Sequence, residues 1–310
     1  MTTRYRLLAI AALAATAVSQ TASGQVTDIN EVILYGINND APVELVRYTF
    51  DTDTYSVVGR VRDQNGNIPP EMEAFTYIPA GPNKGFYASS NYDGWNRSRL
   101  VKVDALEAIA FAYTSDIGFG FVVGMTAYFK GAPDNEWVIY ATHRGRVNNS
   151  GPNVTNLISI DPATGVGELV LPIVDAPATA YQGLTLGPDG LLYGVTNIPK
   201  TTLWTINPAT GVETKVGELS ASNMKVEALE WAFGDYAPPT IEIPGIDPLT
   251  WTSQGCLFAF SDDTDQFMVI NPSTAEWVVY PCSFAATDAE GLAFFTMKND
   301  PRYAVDEGYD

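Results

Sequence analysis

An all-β fold is what this 310-residue sequence predicts, and three observations predict it. Short runs of about four to eight residues, rich in Val, Ile, Tyr, Phe and Thr, alternate with turn residues. The composition is turn-rich and aromatic, with 26 Gly, 20 Pro and 12% aromatic residues against 17% charged. The third observation is a repeat in which four kinds of segment return in a fixed order, five times. Four antiparallel strands per unit, at a period of about fifty residues, are the blades of a five-bladed β-propeller.

The first segment of each unit, strand a, reads EAFTYIP from Glu73, VGMTAYF from Val123, QGLTLGP from Gln182, EALEWAF from Glu227 and EGLAFFT from Glu290. Strand b carries an aromatic residue followed by a small one, at Tyr35, Tyr87, Tyr140, Tyr193 and Phe258. These aromatics are about fifty residues apart, widening to about sixty-five at the last step. Strands c and d are joined by turns such as Asp161-Pro162-Ala163-Thr164-Gly165 and Asn207-Pro208-Ala209-Thr210-Gly211. In such turns the Asp or Asn side chain bonds the backbone ahead, Pro fixes φ and Gly supplies a positive φ. Asp51-Thr52-Asp53-Thr54 is the Pro-free version, so these acids read as turn formers. Several strands are apolar on both faces, as sheets packed between neighbouring blades require.

The repeat order fixes the closure. The chain enters at a strand b, Ile33 to Asn38, and its last strand is a strand a, Glu290 to Thr296. The C-terminal strand therefore closes blade 1 and removes the open edge of the ring. The propeller occupies residues 25–297, and residues 298–310 form a polar, acidic tail. One insertion, residues 234–255, lengthens the a–b loop of blade 5 on the bottom face of the ring.

Residues 1–24 have the layout of a secretory signal peptide: two arginines in MTTRYR, the apolar run LLAIAALAATAV, then small residues. Cleavage after Gly24 fits the small-x-small rule, and cleavage after Ala17 is the alternative. The apolar run is too short to span a bilayer. No Cys lies near the cleavage site to make a lipobox, and no second long apolar run follows. The expected location is secreted or periplasmic. A net charge of −19, from 36 acidic and 17 basic residues, argues against nucleic acid and anionic membrane surfaces as partners. An exported chain makes a disulfide between Cys256 and Cys282 the first expectation. Placement argues against it, because Cys256 opens strand b at the bottom of blade 5 and Cys282 ends strand d at the top.

Candidate site residues follow from the topology. The first residue of each strand a sits at the top mouth of the central channel: Glu290, Glu73, Val123, Gln182 and Glu227 in blades 1 to 5. The three glutamates belong to consecutive blades and make an acidic arc. The residues ending strand b are Asn39, Asn91, Arg144, Asn197 and Asp262. Glu73, Gln182, Glu227, Glu290, Asn39, Asn91, Asn197 and Asp262 are the candidate ligand-binding set, and Glu290, Glu73, Glu227 and Asp262 the candidate metal ligands. Carboxylates and amide carbonyls are what a hard cation such as Ca²⁺ requires. Carboxylates this close repel unless a cation, a proton or an Arg intervenes. The plainer reading is structural: blade positions look alike because blade geometry repeats, and a Glu opening strand a can accept backbone N–H bonds.

Enzyme signatures are sparse. The one histidine, His143, stands beside Arg144 and Arg146 and reads as a surface residue. A Ser/His/Asp triad would have to use it, and no G-x-S-x-G elbow is present. One histidine also excludes a His-rich metal site. A glycosidase pair could come from the glutamate arc, with Tyr92 and Trp95 for sugar stacking.

The E-G-L start of strand a, the L-Y-G of strand b and the I-[DN]-P-A-T-G turn resemble secreted bacterial β-propellers of the YVTN and NHL-like kind, over essentially the whole mature chain. The Glu and Asn mouth also resembles the gluconolactonase/regucalcin propellers. That resemblance implies a divalent ion on Glu290 or Glu73 with Asn91, Asn197 and Asp262, activating lactone hydrolysis. Those propellers have six blades, against five in this chain. The leading expectation is a secreted, non-catalytic binding or scaffolding module with a Ca²⁺ or ligand site at the channel top. The alternative is a metal-dependent hydrolase, of lactonase or glycosidase type, on the same acidic mouth. A purely structural cell-surface protein is a third class. The expected partner is an extracellular glycan, small molecule or protein, and the expected state a monomer.

Overall fold

The computed structural model describes residues 33–39, 42–50, 52–92, 96–112, 115–131, 136–146, 153–173, 181–219, 224–232, 255–280, 282 and 288–295. The signal peptide, the insertion up to residue 254, the polar tail and Trp95 lie outside them.

The strands fall into five sheets, each one blade. Blade 1 is built from β1 (Ile33–Asn38), β2 (Glu44–Thr49), β3 (Thr54–Arg60) and the last strand, β21 (Ala289–Phe295). Blade 2 holds β5 (Met72–Ile78), β6 (Gly85–Tyr92), β7 (Arg97–Asp104) and β8 (Ile109–Ala112). It also gains a strand the repeat does not reveal, β4 (Arg62–Asp63), which runs parallel to β8. Blade 3 is β9 (Val122–Phe129), β10 (Trp137–Arg146), β11 (Asn153–Ile160) and β12 (Gly167–Ile173). Blade 4 is β13 (Gln182–Leu186), β14 (Leu192–Thr196), β15 (Thr202–Ile206) and β16 (Glu213–Glu218). Blade 5 is β17 (Val226–Ala232), β18 (Cys256–Ser261), β19 (Gln266–Ile270) and β20 (Trp277–Val279). The ring closes as the repeat order requires, with β21 antiparallel to β1 from Ile33 opposite Phe295.

Burial falls from the axis outward. All seven residues of β5 and of β17 are buried, which is why these strands lack polar alternation. The outer strands β3 and β16 mix exposed and half-buried positions. The apolar core is divided into five clusters, each between two consecutive blades. In the layer between blades 5 and 1, Phe50, Phe258 and Phe294 meet with ring centroids 5.7 Å apart. Each such fully buried side chain stabilises the layer by about 1.5–3 kcal/mol.

The c–d turns behave as the sequence predicts. Asp161 Oδ1 accepts the Ala163 amide at 2.8 Å and Asn207 Oδ1 the Ala209 amide at 2.9 Å. Gly165 and Gly211 close these turns at φ 75° and 72°. No disulfide joins Cys256 and Cys282. No helix among the described residues is long and apolar enough to cross a membrane.

Candidate functional site

All five blades share one irregularity. Where strand a begins, it carries one more residue than strand b across from it. The extra residue is Glu290 in β21, Val123 in β9, Gly183 in β13 and Glu227 in β17; in β5, Glu73 and Ala74 together face Ser89. A β-bulge bends the strand and re-aims its side chains. It lets Glu73, Glu227 and Glu290 converge although they come from three different blades.

Below this level the channel is shut. Ala74, Gly124, Gly183, Ala228 and Gly291 bring the five strands together on the axis, leaving about 10 Å³, about one water. The packing tolerates little more. A Cβ on Gly183 would stand 2.8 Å from both the backbone nitrogen and the Cβ of Leu229, at a φ of +61°. The mouth is therefore a blind cup rather than a passage.

The cup is acidic and partly dry. Glu73 and Glu227 are only 6% and 7% exposed. Glu290 hydrogen-bonds Glu73, which in turn hydrogen-bonds Glu71. Burial, then the charges of Glu71 and Glu227, push the Glu73 carboxyl up to about 8. Burial and then Asp262 push Glu227 up to about 7. Glu290 is raised well above the carboxylate range, first by burial and then by Glu73 and Glu227. Glu227, Asp262 and Asp288 each offer a ligating oxygen, all within 4.8 Å of one another. Among the described residues a cation borders the group: Lys225 Nζ lies 3.3 Å from Asp262 Oδ2.

The other candidates divide by role. Gln182 reaches the arc, its Nε2 3.4 Å from Glu227 Oε1. Asn197 Nδ2 donates to Gln182 Oε1, and the asparagines also tie neighbouring blades together. Asn39 Oδ1 accepts the Met72 amide at 3.2 Å, and Asn91 Oδ1 accepts the Val122 amide at 3.3 Å. Asn197 accepts the Val226 amide and donates to the Val226 carbonyl, both at 3.0 Å. The backbone groups they hold belong to the first residue of the next blade's strand a.

Two members of the cup, Glu71 and Asp288, escape the repeat alignment because they precede strand a. A signal for them exists: each stands two residues before an arc glutamate, in E-M-E and D-A-E, where Lys225 stands in K-V-E. His143 is a correction. It is 8% exposed, not on the surface, because β10 continues through it to Arg146 and Phe119 covers its ring. Its Nδ1 pairs with the Gly120 carbonyl, and burial lowers its pKa.

No protein-family model and no curated protein matches the chain. Among solved structures, a chain of the nidogen/laminin complex superimposes with a TM-score of 0.51 at 10% identity, over 84% of this chain and 80% of that one. The periplasmic gluconolactonase of Pseudomonas aeruginosa gives 0.40 at 11% identity, over 85% and 98%. The first of these likenesses shows the propeller fold, and at such identity it shows the fold alone.

Proposed function

We propose that this chain is an exported, non-catalytic binding module that holds a divalent cation, Ca²⁺ by its chemistry, in the acidic cup. The single observation that carries the reading is the trio Glu227, Asp262 and Asp288, with ligating oxygens within 4.8 Å of one another. Oxygens on opposite sides of a Ca²⁺ ion, each about 2.4 Å from it, are about 4.8 Å apart. Glu290 and Glu73 stand next to the trio and add charge that a cation would neutralise. Export rests on the basic and apolar N-terminal run.

A thermal melt of the chain in EDTA and in millimolar Ca²⁺ tests it. An ion that binds the native state alone raises the melting temperature. A rise that Asp262→Asn removes supports the cup as the site. A melting temperature blind to Ca²⁺ sinks the cation reading.

One observation favours a second reading, a metal-dependent lactonase or glycosidase. Glu73 at about 8 and Glu227 at about 7 hold protons near neutrality, where general acid–base groups work best. A screen of lactones and glycosides separates the two. Turnover that Glu290→Gln abolishes would replace the binding module with an enzyme.

A further inference from the structure

The cup leaves unused a second recess on the same face of the ring, over blade 2. It is about 200 Å³ in volume, set between strands β6, β7 and β8 and the segment that leads from blade 1 into β5. Pro69 and Pro70 form one apolar wall and Val101 and Ala110 another. Ile68, Ser90, Tyr92, Arg99 and the carboxylate Asp63 also line it.

Arg99 is the unusual member. Its guanidinium carbon lies 4.6 Å from the centroid of the Tyr92 ring. Its Nε–H is buried and has no acceptor. No carboxylate pairs with it among the described residues, whereas its neighbour Arg97 is held by Asp116 at 2.5 Å. The acid on the rim, Asp63, is engaged in its own turn: it accepts the Asn65 and Asn67 amides at 2.8 Å and Asn67 Nδ2 at 3.0 Å. Arg99 thus brings to the recess a positive charge that no carboxylate pairs among the described residues. Charges more than about 10 Å away are largely screened at 0.1 M salt, so Arg99 and the nearby Asp63 set the local field.

We propose that this recess is a binding site for a small carboxylic acid with a compact apolar body. The carboxylate meets Arg99, with the Arg fork suited to two parallel hydrogen bonds. The apolar body lies between the prolines and the floor formed by Val101 and Ala110. Size fits the assignment: an apolar cavity of about 150 Å³ accepts benzene, so about 200 Å³ takes a ring and a carboxylate. A bare hydrated anion would leave the apolar walls uncovered.

Ligand-observed NMR titrations of the full chain test the site with benzoate, the neutral isostere benzamide and inorganic phosphate. Benzoate is expected to saturate in the millimolar range, with benzamide and phosphate at least tenfold weaker. Arg99→Met is expected to weaken benzoate at least tenfold. Equal binding of benzoate and benzamide would overturn the role of the charge. Phosphate binding as well as benzoate would overturn the apolar body, and no saturation by 20 mM benzoate, roughly the weak limit for so small a ligand, would overturn the site. Should Arg99→Met not fold, the benzoate-to-benzamide ratio on the unaltered chain still decides.

Discussion

The channel mouth has two halves that share a backbone and differ in chemistry. Blades 5, 1 and 2 place Glu227, Glu290 and Glu73 at the start of strand a, and blades 3 and 4 place Val123 and Gln182 there. All five carry the bulge. The bulge is thus a property of the ring, and the residue that opens strand a is free to set charge. The asparagine ties follow the same logic. Asn39, Asn91 and Asn197 hold the next blade in one geometry whether that blade brings Glu73, Val123 or Glu227.

The largest effect should come from breaking what the halves share. Gly183→Ala forces a side chain to a φ of +61° and into Leu229. We expect a loss of about 2–5 kcal/mol, seen as a lower midpoint in urea. Asn91→Ala removes one of the two side-chain acceptors of the Val122 amide, the other being Ser98 Oγ at 3.3 Å, and should cost about 1 kcal/mol. Arg144→Ala, the blade 3 counterpart, should change the midpoint by less than about 0.5 kcal/mol, since it lacks that tie. Equal costs for the two would show that the tie contributes nothing.

The differing half should reveal itself through pH. Glu73, Glu227 and Glu290 have native pKa values above the unfolded ones, so the native state binds more protons. Their contribution is full below about 4.5 and is lost as pH rises through about 7 and 8. In EDTA the melting temperature should therefore fall between pH 5 and pH 8. Glu290→Gln should flatten that fall, and a fall that persists in the variant would place its origin outside the cup. The smallest effect is expected from Gln182→Glu, which extends the arc into blade 4. It should steepen the fall by roughly 1 °C per unit of pH or less, because Lys225 and solvent screen the rim.

The blades were legible in the sequence because each repeats four strands and a turn with its own chemistry, as at Asp161 and Asn207. The convergence of Glu73, Glu227 and Glu290 was legible too, since ring topology alone brings strand starts to the axis. The bulge was not. An extra residue leaves no mark in a strand whose two faces are both apolar, and β5 and β17 are buried throughout. Glu71 and Asp288 stayed hidden because the repeat blocks began two residues too late to show E-x-E and D-x-E as one position. His143 misled because its arginine neighbours suggested a surface, while the length of β10 decides its burial.

The closure of blade 1 by the last strand also orders events in time. Glu73 is near the start of the chain and Glu290 near its end, yet the two share a hydrogen bond. A nascent chain can stack blades 2 to 5 one after another, but it has no cup until β21 reaches β1. Such distant partners make the last docking the slow step of folding. A cation held by Glu227, Asp262 and Asp288 would then be captured as the segment that leads into β21 docks, acting as a latch on a finished ring.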